Sequence, residues 1–205
     1  ASFLTFSRSG YLAIAAGLGC FFFWKDKRVL LLGFVIACIG VASNERALKR
    51  VSELGGTIQT IIFQSTDEID ATAIHRVESW SKTLTLWEKY PFKGIGYNTY
   101  RYKAEEEGIV DSSFFSAGSA DSTLLTILTT TGIIGFLLFL LWLWWLAGIN
   151  FIKNLKEKSS VWLGFSSGVG ALVLHSTFVN SLLFPLILIF VYSAYSILAA
   201  SKRTL

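Results

Sequence analysis

Residues 122–152 read STLLTILTTTGIIGFLLFLLWLWWLAGINFI and contain no charged side chain. A membrane-spanning helix needs about 20 apolar residues to cross about 30 Å of hydrocarbon, and this stretch is longer than that. Apolar stretches at residues 3–24 and 29–44, and a charge-free run at 159–201 long enough for two spans, complete the pattern. The sequence therefore predicts an all-α, polytopic transmembrane protein with about five spans.

The overall composition agrees with a lipid bilayer as the main surroundings of the chain. Of 205 residues, 53% are hydrophobic and 16% are charged, whereas about a quarter of the residues in a soluble domain are charged. The net charge of +4 forms no single basic stripe, so no nucleic-acid partner is expected. No cluster of residues has the spacing of a zinc or calcium site, so neither a metal nor a cofactor is expected.

The distribution of charge predicts the orientation in the membrane. Three short segments, 25–28, 153–158 and 202–203, hold eight of the eighteen Lys and Arg residues, and five alternating spans place them on one side. The positive-inside rule makes that side cytoplasmic. Residues 45–121, with twelve of the fourteen acidic residues, are then outside. We expect a multi-pass membrane protein whose residues 45–121 face the outside.

The chain is expected to have three parts. Residues 1–44 form two spans, residues 45–121 form a partly helical extracytoplasmic loop domain, and residues 122–205 form three spans. Within the loop, residues 75–90 are predicted to form an amphipathic helix, because apolar side chains recur at steps of three and four. These side chains are Val77, Trp80, Leu84 and Trp87. Residues 45–64 favour another short helix, and residues 108–120 a mobile segment.

Three charged residues are candidates for the site: Arg8 near the start of the first predicted span, Arg76 at the start of the amphipathic helix, and Asp121 at the outer end of the third span. Arg8 is either an interfacial anchor or a guanidinium in a wet cavity that binds phosphate through two hydrogen bonds. Arg76 is either a solvated charge or a second phosphate ligand. Asp121 is either a helix N-cap or a general base that accepts a proton from a sugar hydroxyl.

The remaining polar or glycine-containing features favour structural roles. Gly132 and Gly135 predict close packing between helices. His175, near the outer end of the fourth span, is interpreted as a polar packing residue. The Gly94-Ile95-Gly96 stretch lacks the strand and helix that surround a nucleotide-binding loop.

Five short motifs occur in a characteristic order: SRSG at 7–10, RVESW at 76–80, YPFKGIGY at 90–97, ADSTLL at 120–125 and TGIIG at 131–135. Their order, spacing and topology resemble the O-antigen ligase and O-antigen polymerase superfamily of bacterial membrane glycosyltransferases. The likeness covers about residues 4–140, and the chain is similar to the C-terminal portion of members of that superfamily.

The resemblance implies a function in polysaccharide or lipopolysaccharide biosynthesis at the cell envelope. A polyprenyl-diphosphate-linked oligosaccharide, such as one on undecaprenyl diphosphate, would be transferred or polymerised onto a hydroxyl of a glycan, lipid or protein acceptor without metal. Arg8 and Arg76 match the arginines that bind the diphosphate, and we expect them to approach one another. The ligase branch has a His where this sequence has Asp121, which favours a polymerase-like or unclassified branch with a carboxylate as the base.

A hypothesis from a different class is a non-enzymatic membrane transporter or polysaccharide-export subunit. Transporters often carry ionisable residues in the middle of their spans and have broken helices. Here the predicted spans carry no charge at depth, and the polar residues collect at one face. This distribution favours chemistry at the outer surface over transport.

Overall fold

The computed structural model describes residues 8–43, 45, 71–109, 120–157 and 159–201, and their regular structure is helical, with no strand among them. The prediction of an all-α chain is therefore confirmed for this part. The predicted helix at 45–64 and most of the predicted mobile segment at 108–120 lie outside the described residues. In chain order the elements are α1 (Arg8–Lys25), α2 (Lys27–Ala42), α3 (Ala71–Lys89), α4 (Tyr100–Glu106), α5 (Thr123–Leu143), a π-helical segment (Trp144–Gly148), α6 (Ile149–Glu157), α7 (Ser160–Ser176) and α8 (Pro185–Ser201).

Helices α1 and α7 pack closely and run antiparallel. A Cβ atom on Gly17 of α1 would lie 2.8 Å from the Cβ of Ala171 in α7, so only a glycine allows the observed approach. One turn further along α1, the ring of Phe21 lies over Gly164, nearer the start of α7. The antiparallel register brings the beginning of α1 to the same end of the molecule as the end of α7.

One long helical rod, interrupted at Gly132, contains the stretch that dominates the sequence. Residues Thr123–Leu155 form the one helix in the described part of the chain that is long and apolar enough to cross a membrane. Helix α8 is also apolar but shorter. Leu138 and Leu141 on the rod are 63% and 62% exposed, and such large apolar surfaces are favourable in lipid and costly in water. The five-span topology stays a prediction.

A compact apolar cluster joins the rod to the last two helices. Leu146 of the π-helical segment, Val169 of α7 and Val191 of α8 are buried against one another. Ser166 of α7 donates a hydrogen bond of 3.0 Å to the Ala147 carbonyl oxygen, a carbonyl at the turn where the α-helical ladder changes to π-helical geometry. This cluster holds α7 against the rod.

Helices α3 and α4 form a separate small core in the predicted loop domain. Leu86 and Tyr100 are buried together with Ala104. The hydroxyl groups of Thr83 and Tyr100 share a buried hydrogen bond of 2.7 Å, which satisfies two polar groups that would be costly to bury alone. Helix α3 ends at Lys89, just before Pro91, which cannot continue a helical hydrogen-bond ladder.

The segment that follows α3 inserts into a break in α5. Gly132 has φ +67° and ψ −175°, a conformation open essentially to glycine alone. The break frees backbone groups of α5, and residues 91–96 satisfy them through three hydrogen bonds. These are Ile95 N to Thr129 O at 3.0 Å, Gly96 N to Thr130 O at 2.8 Å, and Ile133 N to Pro91 O at 2.8 Å.

The role of Gly132 therefore differs from the sequence-based prediction of close packing between helices. A Cβ atom on Gly132 would overlap the Phe92 carbonyl group, and one on Gly94 would lie 2.5 Å from the Gly132 nitrogen. The contact is between a loop backbone and a helix backbone. In hydrocarbon, irregular backbone is tolerated only where protein satisfies its polar groups, and this loop does so.

Candidate functional site at the start of α5

Ser122 is the N-cap of α5, and Asp121 is not. The Ser122 side chain accepts a hydrogen bond of 3.3 Å from the Leu125 nitrogen, and its backbone is extended, as in an N-cap. The interpretation of Asp121 as the N-cap is therefore wrong. The Asp121 carboxylate is exposed and makes no hydrogen bond or ion pair within the described residues.

Helix α3 holds the backbone of Asp121 from two sides. The Asp121 nitrogen donates a hydrogen bond of 3.3 Å to the Ser79 hydroxyl. The indole Nε1 of Trp80 donates a hydrogen bond of 3.3 Å to the Asp121 carbonyl oxygen. Both contacts leave the carboxylate unengaged, so α3 positions the residue without using its charge.

A third element, the turn that follows α7, completes this arrangement. The rings of Trp80 and Phe178 are in contact, with centroids 6.0 Å apart. The Thr123 hydroxyl donates to the side-chain oxygen of Asn180 at 3.1 Å. The start of α5, the middle of α3 and the end of α7 therefore meet at one place.

Arg76 lies one helical turn before Trp80, on the same face of α3. Its side chain is half-buried and makes no ion pair or hydrogen bond with another described residue. Its positive charge acts on the imidazole of His175 in α7. By contrast, Lys82 on the same helix pairs with Glu78 at 2.7 Å. Arg76 is thus a partly desolvated cation without a carboxylate partner in the described structure, an arrangement suited to an anionic ligand.

Arg8 is the first residue of α1, and its side chain lies outside the described structure. The antiparallel packing of α1 on α7 brings the start of α1 to the end where His175 and Phe178 lie. The backbone of Arg8 is therefore at the same end of the molecule as Arg76. The predicted approach of the two guanidinium groups stays a prediction.

The electrostatic surroundings of the site extend to Tyr100. Burial is the main reason that the pKa of this phenol is raised above its usual value. The hydrogen bond with Thr83 acts in the opposite direction, and the negative charge of Asp121 raises the pKa further. Tyr100 therefore stays protonated. Asp121 is close enough to α4 for its charge to act on the Tyr100 phenol.

Metal-binding chemistry has no candidate in the described part of the chain. No group of three or more His, Cys, Asp or Glu side chains is arranged there to hold a metal ion. The ionisable groups at the start of α5 are instead one carboxylate, one guanidinium and one imidazole, from Asp121, Arg76 and His175.

Comparison with protein families gives this site a context. A family model described as O-antigen ligase matches residues 1–140. The chain belongs to the O-antigen ligase family. No curated protein matches the chain at a significant level. The family match includes Arg8, Arg76, Asp121 and the loop that enters the break in α5, and it ends before α7 begins. The membership indicates ligase-like or polymerase-like activity on lipid-linked glycans in a membrane protein.

The roles of two residues at the site, Trp80 and His175, were not predicted from the sequence. The sequence places Trp80 only among the apolar side chains of the amphipathic helix, whereas its indole also bonds the Asp121 backbone. The sequence indicates only a packing role for His175, whereas the charge of Arg76 acts on its imidazole and Ser181 binds its Nδ1. A polar run just after His175, with Ser176, Thr177, Asn180 and Ser181 in an otherwise apolar region, was the available signal.

Proposed function

We propose that this protein transfers or polymerises a polyprenyl-diphosphate-linked oligosaccharide onto an acceptor hydroxyl at the outer face of the bacterial cytoplasmic membrane. The observation that carries the proposal is the half-burial of the Arg76 guanidinium without a carboxylate partner among the described residues. This guanidinium also lies one turn from the residue that holds Asp121. Family membership makes a lipid-linked glycan the relevant class of anion.

In this proposal Arg76 binds the diphosphate of the donor together with Arg8. A guanidinium can donate two parallel hydrogen bonds to phosphate oxygens, and its positive charge balances the negative charge that grows on the leaving diphosphate. Pre-positioned groups of this kind often supply the largest single contribution to a rate enhancement. The half-burial of Arg76 supports the role, because less water competes for its charge.

Asp121 acts in the same proposal as the general base. The acceptor hydroxyl oxygen forms a bond to the anomeric carbon of the donor sugar, and the bond from that carbon to the diphosphate oxygen breaks. The hydroxyl proton passes to the Asp121 carboxylate, and polyprenyl diphosphate leaves. A positioned base typically contributes about 10²- to 10⁴-fold to the rate. The exposed carboxylate and its hydrogen-bonded backbone support this role.

The membrane arrangement belongs to the proposal as well. We infer five spans, with basic segments in the cytoplasm and the loop domain outside. Among the described residues, Lys25 at the end of α1 and Lys153 in α6 lie at the end of the bundle opposite the site, where Trp24 contacts Phe151 with ring centroids 6.4 Å apart. This separation of basic residues from the site supports an outward-facing centre.

The test is glycan transfer by the purified full-length protein in proteoliposomes, with the lipid-linked oligosaccharide of the producing cells as donor and EDTA present throughout. We expect transfer by the wild type and a loss of at least 10-fold in kcat/KM for Arg76→Lys, because lysine cannot form the two-pronged contact. Arg101→Lys on α4 is the matched control, since Arg101 is exposed and lies in a different helix.

Two results would contradict the proposal. One is the absence of transfer from any lipid-linked donor while the protein moves the intact lipid-linked glycan across the membrane, which would indicate a transporter. The other is equal activity of the Arg76→Lys and Arg101→Lys proteins, which would remove Arg76 from diphosphate binding.

A further inference from the structure

The end of α7 carries a chain of polar contacts that the proposed reaction does not use. The imidazole Nδ1 of His175 lies 3.0 Å from the Ser181 hydroxyl oxygen. The Ser181 oxygen lies 3.1 Å from the Ser176 hydroxyl oxygen. The Ser176 hydroxyl donates a hydrogen bond of 2.7 Å to the Leu172 carbonyl oxygen. Ser176 is fully buried, and His175 is half-buried.

Counting the hydrogens along this series of contacts determines which nitrogen of the imidazole carries a hydrogen. Ser176 has a single hydroxyl hydrogen, which goes to the Leu172 carbonyl. The contact between Ser176 and Ser181 is then a hydrogen bond only if Ser181 donates it. With its hydrogen so used, Ser181 can only accept from His175. All three contacts are hydrogen bonds only when Nδ1 carries a hydrogen, and the neutral ring then has a free lone pair on Nε2.

The surroundings of the ring place Nε2 of His175 next to the candidate site. The imidazole of His175 has no hydrogen-bond partner other than Ser181 in the described structure. The charge of Arg76 acts on His175, and the ring contact of Trp80 with Phe178 joins the same two elements. The imidazole therefore borders the candidate site.

The chemistry of Nε2 separates the possible ligand groups. Diphosphate oxygens offer lone pairs and no hydrogens at neutral pH, so an Nε2 without hydrogen cannot bind them. A sugar hydroxyl offers a hydrogen and can donate it to a nitrogen lone pair. Arg76 and His175 are thus suited to two adjacent parts of one class of substrate, a phosphate and a sugar.

We propose that His175 Nε2 accepts a hydrogen bond from a sugar hydroxyl next to the diphosphate, and that Ser181 and Ser176 keep the imidazole in the form that can accept it. This inference rests on the proposed glycan substrate and extends it to a residue outside the family match, which ends at residue 140. The sugar belongs to either the donor or the acceptor glycan.

Two substitutions of His175 separate the roles of its two nitrogens. In His175→Asn, the amide nitrogen replaces Nδ1 and can still donate to Ser181, but nothing replaces Nε2. In His175→Gln, the longer side chain places an amide oxygen near the position of Nε2, so a hydrogen-bond acceptor is kept. Because one hydrogen bond contributes roughly 10-fold in affinity, we expect His175→Asn to weaken glycan binding about 10-fold and His175→Gln to weaken it less.

Binding is measured on the full chain in detergent, so that the result does not depend on turnover. The probes are the lipid-linked oligosaccharide extracted from the producing cells and the same oligosaccharide cleaved from its lipid. Weaker binding of the lipid-linked probe alone assigns the hydroxyl to the donor, and weaker binding of both probes assigns it to a sugar that the acceptor also carries. Ser181→Ala, which removes the constraint on the ring, should weaken binding by a factor of about 2–3.

The result that would overturn the inference is a His175→Asn protein that binds both probes as the wild type does, with an unchanged melting temperature. A loss of kcat without any loss of binding would also overturn it, because the ring would then act on the reaction and not on the sugar. If the wild type binds glycan and His175→Asn is silent, only this inference fails. If the wild type neither binds nor transfers glycan, the proposed function fails first.

Discussion

The break in α5 gives the sharpest test of the fold, through the substitution Gly132→Ala. Alanine must either keep φ at +67° and overlap the Phe92 carbonyl, or close the break and expel the loop. Keeping this conformation costs about 1–3 kcal/mol before the overlap is counted. Closing the break lets α5 regain its own hydrogen bonds, but the loop groups Ile95 N, Gly96 N and Pro91 O lose their protein partners at 2.8–3.0 Å, at about 1 kcal/mol each. Both routes lead to a destabilisation of about 3 kcal/mol.

Thermal unfolding of the purified protein in detergent measures this effect. For a chain of this size about 3 kcal/mol corresponds to a melting temperature lower by roughly 6–12 °C. Tryptic cleavage after Lys93, an exposed residue of the inserted loop, reports whether the loop has left the break, and we expect it to become faster. Gly168→Ala is the control, because a Cβ on Gly168 meets nothing within 4 Å.

A Gly132→Ala protein with the melting temperature and Lys93 cleavage rate of the wild type would refute this account of the break. A loss of stability equal to that of Gly168→Ala would refute it as well, since the effect would then be general to glycines in the bundle.

Three further predictions concern the base, the topology and the loop domain. Asp121→Asn should keep the melting temperature and lower kcat by about 10²-fold or more, as measured in the transfer assay, and full activity would remove Asp121 from proton transfer. In a cysteine-free background, a single cysteine at position 105 should react with an impermeant reagent from outside, and one at position 156 should not; the reverse pattern would invert the topology. The pKa of Glu107 is lowered chiefly by its hydrogen bond with Lys89, so its contribution to stability is present above the usual carboxyl pKa and is lost as the pH falls through the lowered value. Acid titration followed by thermal unfolding should therefore show a loss of stability at low pH that Glu107→Gln largely removes.

Part of the candidate site could be predicted from the sequence because its signals are local. A charged residue beside an apolar run, as at Arg8 and Asp121, is visible without knowledge of the fold. The sequence could not decide between a cap and a base at Asp121, because Asp121 and Ser122 are both good N-cap residues. Only the backbone geometry shows that the Ser122 hydroxyl faces the first turn of α5.

The break at Gly132 could not be predicted because its cause lies elsewhere in the chain. A glycine within an apolar helix is tolerated and most often allows close packing. It interrupts α5 here because residues 91–96 supply partners for the freed backbone groups. The two segments are distant in sequence, and neither one alone indicates that they meet.

The sequence by itself determined the helical class, the long apolar helix Thr123–Leu155 and the family, because hydropathy, periodicity and motifs are properties of neighbouring residues. The tertiary structure alone decided that Trp80 bonds the backbone of Asp121, 41 residues further along, and that the charge of Arg76 acts on His175. These contacts arise from the packing of α3 against α5 and of the turn after α7 against both. Packing between remote segments depends on the shapes of whole helices, and so it decides which of the polar residues visible in the sequence share one site.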